Sequence, residues 1–289
     1  FENQNVNVSE IGGSNGSALY EFKAVSQDDV KKIIVSGNSK CCDLDPIPTC
    51  LLKDCLDDLL PIVTTIVNKS ILDHEFPSLY KFAVLLPLLI KSTLDQEQFR
   101  NYRPVSNLSY IGKLIERVVA CQMNDYRNEN NLHPVNQSAY RKHHSCETAL
   151  VRIVNDILMA MDQRKCVALI MLDLSAAFDT VSHPILLRRL EEDFGVRGSA
   201  LLWFESYFSG RTQSVSINGT LSVPQPLRTG MPQGSCVGPT EFPPYTSPVF
   251  DIAKAHGVQI HMYADDTQLF LPFDVSDYSQ AIRTFESCV

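Results

Sequence analysis

Apolar residues recur along this chain with two different periods, and the switches between them sketch the fold. A spacing of three to four residues marks one buried helical face. It runs through residues 26–35, where Ser26 and Asp29 suggest a capping box and Gly37 ends the segment. It returns at 59–73 (Leu60, Val63, Ile66, Val67, Ile71) and at 110–126 (Ile111, Leu114, Ile115, Val118, Val119). Further helices are predicted from about Thr49, over 149–161 behind a Ser145 cap, over 184–194, and over 199–208. The last carries Trp203, Phe204 and Tyr207, read as core. Strands are predicted where apolar residues run together or alternate, at 83–90, 167–172, 258–264 and 267–273. Residues 100–105 read as extended because Pro104 pushes Arg103 out of the helical region. Residues 213–218 and 221–227 read as a hairpin across Asn218-Gly219. Residues 1–22 carry no period and are expected to be loosely ordered. A final helix opens at Ser276, and the chain stops inside it.

Within this pattern, two acidic stretches stand at strand ends. Asp265-Asp266 falls in the tight turn between the last two strands. Adjacent carboxylates in a turn are ordinarily solvated surface groups. Asp173, however, follows the apolar run 167–172 and is expected at the end of a buried strand, where a carboxylate is costly unless compensated. Between the two lies Gly230-Met231-Pro232-Gln233-Gly234-Ser235. Two acidic strand ends around a glycine-bracketed segment suggest phosphoryl transfer assisted by two metal ions.

These stretches, in this order, resemble the polymerase core of reverse transcriptases encoded by non-LTR (LINE-type, jockey-like) retrotransposons. The likeness extends through Asn101-Tyr102-Arg103-Pro104-Val105-Ser106, Lys113-Leu114-Ile115-Glu116, Gln137-Ser138-Ala139-Tyr140-Arg141 and Glu147-Thr148-Ala149-Leu150. It covers roughly residues 40–289. The resemblance implies an α+β right-hand polymerase, with fingers and an antiparallel palm sheet, and an RNA-directed DNA polymerase activity. It implies two Mg²⁺ ions, or Mn²⁺ in their place, and an RNA template, a DNA primer and deoxynucleoside triphosphates as partners. On it, Asp173, Asp265 and Asp266 become the catalytic metal ligands, converging on a common point, with the Leu174 backbone carbonyl as a further donor. Lys91 and Arg103 face the incoming triphosphate, with a pair of exposed basic residues as the alternative; Gln233 and Gly234 lie against the nucleotide and template base; and Phe178 blocks a ribose 2′-hydroxyl, with core packing as the alternative. Arg141 and Lys142 are candidates for the template backbone, with a solvated loop as the alternative. Asp179 is expected to be structural.

Charge refines this reading. The net charge of −8 argues against nucleic acid at face value. By segment, residues 1–75 carry six basic and twelve acidic groups, residues 76–172 twelve and eight, and residues 173–289 seven and thirteen. A cationic middle before an acidic end suits a template-gripping region followed by a metal-binding one. The nine cysteines form no CxxC pair, so thiols in the nucleus or cytoplasm are expected rather than zinc or disulfides. The longest apolar run, 82–90, is far shorter than a membrane span. Oligomeric state is left open.

Two departures from the family pattern set further expectations. Pro243-Pro244 falls where a helix should follow Ser235, and two missing amide donors should break or kink it and misplace Gln233. The chain also stops before the lysine-bearing segment and thumb that the resemblance leads one to expect, so weak, salt-sensitive binding is anticipated. The division expected is a mostly helical extension over 1–77 and fingers and palm over 78–289. Two rival readings stand beside the polymerase: an inactive relic of the same fold, and a non-catalytic RNA-binding protein.

Overall fold

The computed structural model describes residues 16–37, 42, 44–174 and 176–289. Residues 1–15, the greater part of the segment expected to be loosely ordered, and residues 38–41, 43 and 175 lie outside the described residues. The chain opens with α1 (Gln27–Ser36), α2 (Thr49–Asp54) and α3 (Leu56–Leu72), then β1 (Phe82–Leu89) and β2 (Tyr102–Asn107). Next come α4 (Tyr110–Glu129), α5 (Cys146–Asp162), β3 (Cys166–Leu172), α6 (His183–Glu192) and α7 (Gly198–Phe208). Then follow β4 (Thr212–Ile217), β5 (Thr220–Leu221), β6 (Gln225–Pro226), α8 (Val237–Thr246) and α9 (Pro248–Ala255). β7 (Gln259–Tyr263), β8 (Asp266–Phe273) and α10 (Tyr278–Cys288) complete it.

Local chemistry explains several of these boundaries. The Ser26 hydroxyl accepts from the Asp29 amide at the start of α1. A full capping box between Ser145 and Thr148 opens α5. Asn218 and Gly219 take the positive φ that the β4–β5 turn demands. Gly37 ends α1 with φ of −76°, extended rather than left-handed.

The main core joins α1–α3 to α4, α6 and α7. Val30, Ile34, Val67, Ile115, Val119, Trp203, Phe204 and Tyr207 all lie within it, fully buried. Trp203 stacks on Tyr207 and meets Phe22 and Phe76 edge-on. The aromatic face of α7 is therefore core, as its spacing predicts.

Two sheets flank this core. One has the order β2-β1-β4-β5, with β6 also on β4; β1 and β2 are antiparallel, and β1 and β4 parallel. The other is an antiparallel sheet of order β3-β8-β7. Its face formed by Ile170, Leu269, Ile260 and Met262 packs on α9 and α10 through Ala253 and Phe285.

Two expectations are corrected here. The first concerns β3, which is not a buried strand. It lies at the sheet edge, Met171 is 76% exposed, and Asp173 is exposed as well. An apolar run has the same composition in an edge strand as in a central one, and although α5 touches β3, Leu169 and Met171 on one face of it stay exposed.

The second correction concerns α8, which is not broken at Pro243 and Pro244 but runs through both. Pro244 has no amide hydrogen to give the Thr240 carbonyl four residues earlier. Arg127 of α4 supplies the missing donor, its Nη1 reaching the Thr240 oxygen at 2.8 Å. Its Nη2 pairs with Glu241 of the same helix, and both side chains are almost wholly buried. The helix ends two residues after the proline pair, at Thr246, and Pro248 opens α9.

Candidate active site

The site is built at the open end of the β3-β8-β7 sheet. Tyr263 pairs with Asp266 and Leu172 with Thr267, so the register continued by one step sets Asp173 opposite Asp266. Directly opposed residues share a face. Asp265 lies between them in chain order, in a two-residue turn with Ala264, while Asp266 is already the first residue of β8. Asp173, Leu174 and Asp266 are exposed and Asp265 is half-buried.

Among the described residues, none of the three carboxylates is ion-paired or hydrogen-bonded through its side chain. Also among the described residues, no three His, Cys, Asp or Glu side chains are gathered as a set that would hold a metal ion. The backbone register thus brings the two acidic stretches to one sheet end.

The segment 230–235 is the hub through which other sequence-predicted residues meet. Gly230 donates to the Val181 carbonyl at 2.7 Å and Met231 to that of Phe178 at 2.8 Å. Gly230 adopts φ of +84°, and a Cβ there would lie 2.7 Å from the Asp179 carbonyl oxygen. No larger residue fits that approach. His183 bonds the Gly230 carbonyl at 2.7 Å, so its Nε2 carries the hydrogen. Ser106 of β2 donates to the Gln233 carbonyl at 3.1 Å, tying the segment to the strand that carries Arg103. Gly234, with φ of +99°, comes close to the Ser106 carbonyl.

The Gln233 side-chain nitrogen donates to Asp179, at 3.2 and 3.3 Å to its two oxygens. The segment's exit is held by Glu116 of α4, whose carboxylate accepts from the Cys236 amide at 2.6 Å and from the Tyr207 hydroxyl at 2.9 Å. Burial raises the Glu116 carboxyl above its ordinary 4.5; the buried Arg211, the Cys236 amide and Tyr207 act against that rise. Behind the segment lies a cavity of about 340 Å³ bounded by Leu85, Pro104, Gln213, Arg228 and Gln233.

The remaining predicted residues fall around this hub. Phe178 is half-buried and stacks on Phe242 of α8, with centroids 4.6 Å apart. Arg103 is exposed on β2 opposite Leu88, and Lys91 is exposed in the loop after β1. Burial, and then the Asp265 charge, raise the Tyr140 hydroxyl, while Arg103 lowers it, so both charges face the same tyrosine. Lys142 is exposed, whereas Arg141 Nη1 turns inward to the carbonyls of Pro134 and Gln137 at 3.2 Å each.

Sequence reasoning gave no role to Gln137, Glu116 or His183. Gln137 and Glu116 do stand inside the family-like segments, which was the available signal.

A small antiparallel sheet presenting carboxylates at one end, beside a glycine-bracketed loop tied to a basic hairpin, is the architecture of a nucleic-acid polymerase palm. Comparison with known proteins makes this definite. The family model for reverse transcriptase (RNA-dependent DNA polymerase) matches residues 91–289. The chain is 31% identical over 254 residues to the RNA-directed DNA polymerase from mobile element jockey of Drosophila melanogaster, covering 85% of this chain and 27% of that protein. It is 30% identical over 217 residues to the jockey protein of Drosophila funebris, covering 73% and 23%. The chain therefore belongs to the reverse transcriptase family, and it spans about a quarter of the length of these relatives.

Proposed function

We propose that the chain is the catalytic core of an RNA-directed DNA polymerase of a jockey-like non-LTR retrotransposon, extending a DNA primer on an RNA template. The observation that carries this is the register setting Asp173 beside the Asp265–Asp266 turn. Solvent-accessible carboxylates with no ion-pair partner among the described residues suit a divalent cation. We assign Asp173, Asp265, Asp266 and the Leu174 carbonyl to two Mg²⁺ ions, with Mn²⁺ as an alternative. Such ions, when bound, activate the primer hydroxyl and offset charge on the leaving pyrophosphate.

The chain's own residues then position the nucleotide. Arg103 grips phosphate oxygens through its planar fork, and Lys91 adds a point charge. Gln233, its nitrogen held by Asp179, keeps its side-chain oxygen free for the nucleotide or template base. Gly234 lets the backbone approach closely. Phe178, seated on Phe242, excludes the 2′-hydroxyl of a ribonucleotide. Lys142 faces the template backbone, and Arg141 acts by bracing the segment beside it. We take residues 1–77 as a helical extension on the fingers and palm, and place the protein in the nucleus or cytoplasm.

Single-nucleotide incorporation on an RNA-templated DNA primer at low salt tests the reading. Asp173→Asn and Asp265→Asn should each lower the rate by at least about a hundredfold. RNA binding without incorporation, indifferent to both substitutions, would favour the non-catalytic RNA binder.

A further inference from the structure

We infer that Gln137 is a positioning residue that holds the Ala264–Asp265 turn, and through it the carboxylates; the inference rests on the polymerase reading of those carboxylates. Ala264 is buried and sits at φ of +58°. A residue with a Cβ adopts this left-handed conformation only when its surroundings impose it. Because Ala264 lies in a two-residue turn, neither its N–H nor its C=O has a ladder partner, and buried backbone groups require one.

Gln137 supplies both partners. Its Oε1 accepts from the Ala264 amide at 3.0 Å, and its Nε2 donates to the Ala264 carbonyl at 3.2 Å. Oε1 also accepts from Ala139 at 3.0 Å, which fixes the carboxamide in its own loop. A carboxamide suits this place because it carries an acceptor and a donor together.

The loop is itself anchored. Met262 of β7 donates to the Asn136 carbonyl and Ser138 donates to that of Met262, both at 2.9 Å, so residues 136–138 run beside β7 as an added rung. Arg141 reaches back to the Gln137 carbonyl at 3.2 Å. A continuous support therefore runs from Arg141 through Gln137 to the peptide group joining Ala264 to Asp265.

The alternative is that Gln137 is merely a satisfied buried amide, and the left-handed Ala264 separates the two. Glycine takes positive φ without a Cβ penalty. If Gln137 serves the turn, Ala264→Gly should compensate in part for its loss by removing the Cβ cost; if it serves only the core, it should not.

The experiment compares wild type, Gln137→Met, Gln137→Glu, Ala264→Gly and the Gln137→Met/Ala264→Gly double variant. Amide exchange is followed by mass spectrometry over 259–267, and Mn²⁺ affinity by electron paramagnetic resonance. Gln137→Met should speed exchange at Ala264 by about tenfold or more, leaving 110–126 unchanged. It should also weaken Mn²⁺ by about tenfold, as loss of support behind a metal ligand does. The double variant should bind Mn²⁺ measurably more tightly than Gln137→Met yet short of wild type, because glycine removes the Cβ cost but not the two lost hydrogen bonds.

Unchanged exchange in folded Gln137→Met, or a double variant no better than the single, would overturn the proposal. Should Gln137→Met not fold, Gln137→Glu carries the test, since it keeps size and acceptors but loses the donor to Ala264. Wild-type Mn²⁺ binding that ignores Asp265→Asn would instead count against the polymerase reading, with the exchange arm still deciding the clamp.

Discussion

Arg127→Met tests the account of how α8 survives its two prolines. In the folded chain Arg127 is 2% exposed and Glu241 1%. Removing the guanidinium strands a buried carboxylate, at about 3–5 kcal/mol. It also strands the Thr240 carbonyl, which has no helical donor from Pro244, at about 1–3 kcal/mol. Because one relaxation serves both groups, the two costs do not simply add. We expect a loss of about 4–5 kcal/mol, a large share of a total near 5–15 kcal/mol.

Burial raises the Glu241 carboxyl, with Arg127 opposing that rise. Arg127 Nε and Glu241 Oε1 are buried with no hydrogen-bond partner among the described residues, so the pair does not fully repay its desolvation, and Arg127→Met/Glu241→Met should recover most of the loss. Pro244→Ala returns an amide donor to Thr240, so it should help more in the Arg127→Met background than in wild type, by about 1 kcal/mol. Urea unfolding followed by the single tryptophan, the fully buried Trp203, measures all five chains, wild type included. An Arg127→Met loss under about 1 kcal/mol, or a double variant no more stable than the single, would refute the reasoning.

Three further outcomes are expected. Phe178→Val should raise ribonucleotide incorporation in the single-nucleotide assay while costing about 1–3 kcal/mol of stability through the lost stack on Phe242; unchanged sugar discrimination would return Phe178 to packing alone. Because the folded Glu116 carboxyl titrates above the unfolded 4.5, its stabilising contribution is complete below pH 4.5 and lost as pH rises through the folded value. Glu116→Gln should remove that decline, as unfolding free energies across pH would reveal. His133 is pushed down to about 4, first by burial and then by Arg127 and Arg141. Its contribution is present above pH 6.5 and fades toward pH 4, by about 1–2 kcal/mol after allowance for partial exposure, and His133→Gln should flatten that limb.

How much of this was legible in the sequence depends on the range of the forces involved. The Ser145 cap, the Asn218-Gly219 turn and the aromatic face of α7 are set by neighbours within a few residues, and their spacing announces them. The exposure of Asp173 was not legible, because composition does not distinguish an edge strand from a central one. Nor was the continuity of α8, since the donor that replaces the Pro244 amide comes from a residue 113 positions before Thr240. Gln137 and Ala264, 127 positions apart, illustrate the same limit at the candidate site. Sequence marks the carboxylates, while the groups that hold them become visible only in three dimensions.

The central claim is that the end of the β3-β8-β7 sheet holds divalent cations for nucleotidyl transfer. Anomalous diffraction from crystals soaked with Mn²⁺ and a deoxynucleoside triphosphate tests it most directly. Two peaks about 3.5–4 Å apart are expected, ligated by Asp173 and Asp265 and lost in Asp265→Asn. Bound nucleotide with no manganese at that sheet end, or manganese held by other side chains, would contradict it.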